Sequence, residues 1–71
     1  MLDSDRAWVH LDFDVIIKMT DKAFLIRFSG IPGSHWIPFS QIEKKGLDYT
    51  EGDRNGSMCI AEWLCEEKGL V

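Results

Sequence analysis

The stretch Trp8–Met19, with the sequence WVHLDFDVIIKM, decides the fold because apolar and polar residues alternate along most of it. Successive side chains of a β-strand point to opposite faces of a sheet, so this period of two predicts a half-buried strand. The predicted core face carries Val9, Leu11, Phe13, Val15, Ile17 and Met19. The predicted solvent face carries Trp8, His10, Asp12, Asp14, Ile16 and Lys18. So long a strand in a short chain predicts a β-rich architecture.

Two shorter strands and a helical turn are predicted next. Residues 20–22 form a polar turn, and the following segment Ala23–Ser29 is rich in β-formers, which predicts a strand that pairs with the first. His35–Pro38 is predicted to be a short strand that Pro38 either ends or places at a sheet edge, because proline cannot donate a hydrogen bond to a neighbouring strand. Ser40 and Glu43 match the capping-box pattern, which predicts a helical turn beginning at Ser40.

The C-terminal third predicts two more short strands and a helix. The strands are predicted over residues 47–50 and 57–60, and the Asn55-Gly56 dipeptide between them is typical of a hairpin turn. Good helix formers follow from Ala61. Gly69 occupies the place of the left-handed residue that ends a helix, so two to three helical turns are predicted before it.

These elements predict a β-rich α+β fold: a small curled antiparallel sheet or open barrel of four to five strands, with one helical turn and a short C-terminal helix. The 71 residues are enough for one hydrophobic core. Residues 1–7 are predicted to be a flexible leader, and residues 8–71 a single small domain. The leader has no apolar stretch behind a basic one, so no signal peptide is predicted, and no apolar run is long enough for a membrane span.

The charge balance bears on the class of partner. Twelve acidic side chains against eight basic ones give a formal net charge of −4. Binding through the phosphate backbone needs clustered Lys and Arg, so direct nucleic-acid binding is disfavoured. An acidic surface suits a host protein with a basic surface, such as a nucleic-acid-binding effector complex. Solubility alone is the other explanation of this charge.

Neither catalysis nor a metal site is predicted. Cys59 and Cys65 are the only cysteines, and their spacing fits neither a redox pair nor a zinc-ligand pair, which predicts reduced thiols in a cytoplasmic compartment. Asp12 and Asp14 share one strand face, but an exposed strand provides no burial to separate their pKa values. Without a nucleophile–base pair or a phosphate-binding loop, the chain is predicted to be no enzyme and to use no cofactor.

The acidic side chains carry the site hypothesis. Asp12 and Asp14 repeat along the first strand at roughly 6.5–7 Å, a spacing comparable to that of successive phosphates in an extended nucleic acid. Together with carboxylates of the loop and the helix, and with an aromatic anchor, they would imitate nucleic acid toward a basic groove. The predicted partner-binding residues are Trp8, Asp12, Asp14, Asp48, Tyr49, Glu51, Asp53, Glu62 and Glu66. An ordinary solvated surface is the alternative.

Three segments, residues 21–25, 36–42 and 60–70, resemble a family of small bacteriophage and mobile-element proteins. The shared pattern is W-I-P-x-S-Q-I followed by W-L-x-x-x-K-G-L. The chain departs from this family at Ala61, where proline is frequent, and at Phe39, where lysine is frequent. Small acidic phage proteins include anti-CRISPR proteins, so the resemblance implies an inhibitor of a defence complex that acts in the cytoplasm of a bacterial host.

Two other hypotheses stay open. The aromatic side chains are candidates for stacking on the bases of single-stranded nucleic acid in a small barrel; they include Trp8, Trp36, Phe39, Tyr49 and Trp63. Trp63 is also predicted to hold the C-terminal helix against the sheet. A homodimer paired through an exposed strand edge is the structural alternative.

Overall fold

The computed structural model describes residues 7–43 and 49–71, which form an antiparallel sheet followed by a helix. The strands are β1 (Trp8–Met19), β2 (Ala23–Phe28), β3 (His35–Pro38) and β4 (Arg54–Ala61), and the helix is α1 (Glu62–Lys68). A 3-10 turn, Phe39–Gln41, follows β3. The strand order is β3-β2-β1-β4 and the sheet stays open. The predicted β-rich fold with a short C-terminal helix is confirmed, with four strands in an open sheet.

Part of the predicted organisation lies outside the described residues. Residues 1–6 of the predicted leader and residues 44–48, which include Asp48, are not described. The strand predicted over residues 47–50 therefore has only its second half in view. Tyr49 and Thr50, which make up that half, belong to no strand.

β1 and β2 form a hairpin through the predicted polar turn. The Thr20 hydroxyl accepts hydrogen bonds from the backbone N–H groups of Lys22 and Ala23, at 3.3 and 3.0 Å. The Thr20 backbone N–H donates to the Ala23 carbonyl at 2.9 Å. These bonds satisfy the backbone at the tip of the hairpin and set which residues of the two strands are paired.

β1 does not keep its alternation over its whole length. Opposite β2, its register shifts between Phe13 and Val15 and again between Ile16 and Lys18. Each shift is a β-bulge, in which an extra residue of one strand changes the face to which the following side chains point. Phe13 and Ile16, three residues apart, are consequently both buried.

The predicted core face of β1 is therefore wrong beyond Phe13. Ile17 and Met19, predicted to be buried, are 39% and 44% exposed, whereas Ile16, predicted to face solvent, is fully buried. The run of three branched apolar residues from Val15 to Ile17 fits either phase of the strand. The alternation along the sequence therefore contained no sign of the bulges.

The core lies between one face of the sheet and the layer that follows β3 and β4. β2 contributes Phe24, Ile26 and Phe28, while Arg27 between them is exposed. From the covering layer come Ile42 before the undescribed segment, and Leu64, Cys65 and Leu70 in and after α1. The Phe39 ring packs on Phe24 with ring centroids 4.7 Å apart.

α1 begins one residue later than predicted. Ala61 is the last residue of β4 and also precedes the first helical residue, Glu62. The backbone N–H of Glu62 donates to the Ala7 carbonyl at 3.0 Å, which joins the start of the helix to the start of β1. The strand and the helix are thus continuous, with no connecting loop between them.

α1 ends as predicted. Gly69 has the left-handed backbone (φ 73°), which glycine adopts without the strain that a Cβ atom introduces. The backbone N–H of Leu70 donates to the Cys65 carbonyl at 2.8 Å, and the Leu70 side chain is buried beside Leu64. This end attaches the short helix to the core.

The predicted cap of the helical turn is wrong. The 3-10 turn begins at Phe39, with Pro38 as the preceding residue, and Ser40 lies inside the turn. No side chain caps the turn. Instead, the Phe39 backbone N–H donates to the Lys22 carbonyl at 2.8 Å, which fixes the turn against the β1–β2 hairpin.

The predicted Asn55-Gly56 hairpin is also wrong, because both residues lie within β4. The chain turns earlier, at Glu51-Gly52. Asn55 has the left-handed backbone (φ 56°) that such dipeptides often adopt in turns, but here it belongs to a strand that pairs with β1.

Gly56 is required by the space that the Phe13 ring takes. The two residues are paired between β1 and β4, and a Cβ atom added at Gly56 would lie 2.6 Å from Cζ of Phe13. The backbone of Gly56 is outside the left-handed region, so close approach alone explains the glycine. Tyr49 meets the same Phe13 ring edge-on, with ring centroids 5.7 Å apart.

We expect Gly56→Ala to lower the free energy of unfolding by about 1–3 kcal/mol, the usual cost of forcing extra volume into a packed core. Urea denaturation followed by circular dichroism measures it. Combining the change with Phe13→Leu, which removes the ring, should give less destabilisation than the two single variants predict together. Additive effects would show that the ring is not the cause.

Candidate functional site

The predicted site residues lie on three separate parts of the described molecule. One group is on β1, a second follows the undescribed segment, and the third is on α1. In that order the groups are Trp8, Asp12 and Asp14; Tyr49, Glu51 and Asp53; Glu62 and Glu66. Asp48 lies outside the described residues.

The second group serves the fold. The carboxylate Oε1 of Glu51 accepts a hydrogen bond from the Met19 backbone N–H at 2.9 Å. The carboxylate Oδ2 of Asp53 accepts one from the Thr50 backbone N–H at 2.9 Å. The Tyr49 hydroxyl donates to the Ser57 carbonyl. These bonds stabilise the turn at residues 50–53 and attach the segment to β1 and β4. They explain the three side chains as parts of the fold, so no binding partner is needed to explain them.

The first group lies on the sheet face opposite the core. Asp12 and Asp14 flank the buried Phe13 and are exposed, so they point away from the core. The Ser29 hydroxyl donates to Oδ1 of Asp14 at 2.8 Å. Trp8 begins the same strand, is half-buried, and pairs with Ala61.

We call this face of the sheet the open face, because no described element covers it. It is defined by seven side chains: Asp12, Asp14, Lys18, Leu25, Arg27, Trp36 and Arg54. The pairing places them together, since Leu25 is paired with Lys18 on one side and with Trp36 on the other. Trp36 is 44% exposed. A shallow polar cavity lined by Asp12, Ser29 and Asn55 lies at its acidic end.

The open face carries charges of both signs. Asp12 and Asp14 come first along β1, and Lys18 follows toward the other end of the strand. Arg27 of β2 and Arg54 of β4 are both paired with Val15, between them. None of these five charged groups forms an ion pair within the described part of the chain. The open face thus has two carboxylates and three cations, although the whole chain has a formal net charge of −4.

The third group belongs to a more acidic surface. Glu62, Trp63, Glu66 and Glu67 are all exposed on α1, while Leu64 and Cys65 between them are buried. Residues three and four apart are neighbours on a helix, so Trp63 lies beside Glu66 and Glu67. We call these four side chains the α1 surface. Its carboxylates form no ion pair among residues 7–43 and 49–71.

Trp63 is the functional candidate that the sequence prediction misplaced. It was predicted to hold the helix against the sheet, but it is 54% exposed, and Leu64, Cys65 and Leu70 do the packing. Its indole N–H donates to Oε1 of Gln41 at 2.9 Å, so the ring is held in one orientation. With seven residues, α1 is too short for its apolar period to identify the buried side.

The negative field of the α1 surface reaches the core. Burial raises the pKa of the Cys65 thiol above its ordinary value of 9.0, and the carboxylates of Glu62 and Glu66 raise it further. Cys65 is therefore a protonated, inert core thiol at neutral pH. Cys59, on β4, is half-buried, and both cysteines are free of disulfides.

The described residues contain neither a group of metal ligands nor a membrane-spanning helix. Within residues 7–43 and 49–71, no three His, Cys, Asp or Glu side chains are grouped as ligands for a metal ion. None of the described helices has the length and apolar composition needed to cross a bilayer.

Comparison with known protein families, with curated proteins and with solved structures finds no match to this chain. The resemblance to bacteriophage and mobile-element proteins stays a prediction from the residues that carry it. What the molecule does must therefore be argued from its own surfaces.

We expect the double variant Glu62→Gln/Glu66→Gln to lower the pKa of Cys65 while leaving it above 9.0, because burial is the larger cause of the shift. NMR titration of the Cys65 Cβ signal in a Cys59→Ser background measures this pKa.

The raised pKa of Cys65 also makes the free energy of unfolding depend on pH. The Cys65 thiol ionises at a lower pH in the unfolded chain than in the folded protein, so its stabilising contribution is complete below pH 9.0 and is lost as the pH rises through the folded pKa. An unchanged Cys65 pKa in the double variant would contradict a field from the α1 surface. Asp12→Asn/Asp14→Asn, on the open face, is the matched control and should leave the pKa unchanged.

Proposed function

We propose that this protein is a non-enzymatic binding module that docks the α1 surface onto a basic surface of a partner protein. The observation that carries the proposal is Trp63, a large aromatic side chain more than half exposed and fixed by Gln41. Trp63 lies outside the core cluster that Leu64, Cys65 and Leu70 join. Tryptophan is enriched among the residues that dominate binding at interfaces.

The fixed indole favours tight binding. Association loses affinity when flexible side chains must become ordered, and the hydrogen bond to Gln41 has already ordered Trp63 before a partner arrives. Tryptophan offers a large apolar area with few rotatable bonds, and it is enriched among residues that dominate interface energetics. We therefore infer that Trp63 enters an apolar cleft of the partner.

The carboxylates define the chemistry of the partner. Glu62 and Glu66 are like charges four residues apart, which slightly destabilises the helix. Glu66 and Glu67 also lie near the C-terminal end of α1, where the helix dipole disfavours negative charge. A partner with Lys or Arg around its cleft would turn this unfavourable cluster into a complementary contact and would be steered to it.

The sequence resemblance suggests a specific form of the proposal. A nucleic-acid-binding effector complex of a bacterial host has a basic surface, and an acidic module that occupies it would compete with nucleic acid. Inhibition of such a defence complex in the host cytoplasm is the biological role that we propose on this basis. The Asp12–Asp14 end of the open face, predicted from the sequence to bind the same partner, is the competing candidate for the docking surface.

We expect Trp63→Ala to weaken partner binding by about 30-fold or more, the effect of losing about 2 kcal/mol at an interface hot spot. The measurement is capture from host lysate on immobilised protein, followed by mass spectrometry and by affinity measurement on the isolated partner. Trp36→Ala is the matched control, because it removes an equally bulky exposed indole from the open face and should leave the affinity unchanged.

Charge reversal then separates the two acidic surfaces. Glu62→Lys/Glu66→Lys should abolish capture, and Asp12→Lys/Asp14→Lys should not. Loss of capture in Asp12→Lys/Asp14→Lys, with capture retained in Glu62→Lys/Glu66→Lys, would indicate that the partner docks on the open face instead. Displacement of the partner by an oligonucleotide would support competition with nucleic acid, whereas binding that is indifferent to oligonucleotide would contradict the inhibitor role.

Binding of single-stranded nucleic acid is the second candidate, and Trp36 favours it. This exposed indole lies on the open face together with Lys18 and Arg27, the combination that stacking sites use. Of the other candidates, Phe39 packs on Phe24 and Tyr49 on Phe13. Trp63 lies on α1, and Trp8 lies at the end of β1 away from Lys18. A platform of successive stacking rings is thus absent among the described aromatics.

We therefore expect titration with fluorescent single-stranded oligonucleotides at low salt to give no saturable binding. Carboxylates beside the cations repel the phosphate backbone, and few counterions would be released. Isothermal binding curves at two salt concentrations test this. A saturable, salt-sensitive curve that is lost in Trp36→Ala would establish the second candidate instead.

A further inference from the structure

We propose that the open face is the interface of a homodimer, in which two copies pack sheet against sheet. This inference is independent of the α1 surface, because the helix packs on the opposite side of the sheet. It differs from the edge-paired dimer that the sequence suggested. Three observations carry it: the state of the sheet edges, the apolar side chains on the open face, and the arrangement of its charges.

The edge strands β4 and β3 are poorly suited to backbone pairing with a second copy of the chain. On β4, the Cys59 carbonyl accepts a hydrogen bond from the Glu43 backbone N–H at 2.9 Å, and Ile42 bridges to Ile60. The Ser57 carbonyl accepts from the Tyr49 hydroxyl. At the opposite edge, β3 has four residues and ends in Pro38. Short, covered or proline-terminated edges disfavour pairing between sheets.

The open face, by contrast, exposes apolar area in one place. Trp36 is 44% exposed, and Leu25, paired with Trp36, is partly exposed. These two side chains give a second copy an apolar contact in the middle of the charged groups.

The arrangement of charges on the open face favours a second copy of the chain as its binding partner. Asp12 and Asp14 lie toward one end of β1 and Lys18 toward the other, with Arg27 between them beside Val15. A two-fold axis that lies in the interface and runs across the strands reverses the strand direction of the second copy. The acidic end of each copy then faces the basic end of the other, as an interface between identical surfaces requires.

A basic partner is a poorer fit to this face. Its two carboxylates are offset by three cations, so a uniformly basic surface would meet repulsion at Lys18, Arg27 and Arg54. The whole-chain charge of −4 opposes association of two copies. That negative net charge resides outside the open face, whose acidic and basic ends are complementary between two copies.

Sedimentation equilibrium at several protein concentrations tests the proposal. The wild-type chain is expected to be a dimer that dissociates on dilution. Asp12→Lys/Asp14→Lys makes the face wholly basic and Lys18→Glu/Arg27→Glu/Arg54→Glu makes it wholly acidic, so each variant alone is expected to be monomeric. An equimolar mixture of the two is expected to recover the dimer, because the reversed charges are complementary between variants.

Glu62→Lys/Glu66→Lys, on the α1 surface, is the matched control and should remain dimeric whatever it does to partner capture. A wild-type chain that is monomeric throughout, or charge variants that stay dimeric alone, would overturn the proposal. Should a variant fail to fold, isotope-filtered NMR on a mixture of labelled and unlabelled wild-type protein determines which residues are in contact between two copies. Intermolecular contacts between the Asp12 and Lys18 ends of the face support the dimer, and contacts elsewhere or none overturn it.

Discussion

The contact between the Phe13 ring and the backbone of Gly56 organises the centre of the molecule. The ring lies so close to β4 that no Cβ atom fits at Gly56, and Tyr49 packs edge-on against it. Phe13 thus joins the central strand β1 to its neighbour β4 and to the chain that leads into it. The first bulge of β1 follows directly after Phe13 and lets Ile16 enter the same core.

The described residues cover one face of the sheet. The described covering layer consists of the 3-10 turn, Ile42, α1 and Leu70, and all of it lies on the side of Phe13, Phe24 and Phe28. The other face keeps its polar and apolar side chains in water. A small domain with a limited core gains stability from self-association, which gives the open face a physical role without a second layer from the same chain.

The two proposed surfaces are compatible because they lie on opposite sides of the sheet. Two copies joined through their open faces would display two α1 surfaces, each with its fixed Trp63, on the outside of the dimer. Such a dimer would bind a partner with repeated basic sites more tightly than one copy does, since the second contact is intramolecular. A repetitive nucleic-acid-binding assembly is a target of that kind.

The sequence by itself determined the local elements of this protein. The chemistry of adjacent residues accounts for the β1–β2 turn at Thr20, for a strand that Pro38 ends or places at an edge, and for the helix end at Gly69. The acidic character of the chain was equally plain, as was the presence of exposed carboxylates on β1. Hydrogen-bond patterns, proline geometry and left-handed glycines act over a few residues, so the sequence can express them directly.

Only the tertiary structure decided which side chains those elements bury and which they present. Whether Ile16 or Ile17 enters the core depends on bulges opposite β2, and the role of Gly56 depends on a ring forty-three positions earlier in the chain. The orientation of Trp63 depends on Gln41, far from it in sequence. These outcomes are set by contacts between distant segments. Those contacts cannot be read from the alternation of residues along one strand. The sequence of the seven-residue helix α1 does not contain them either.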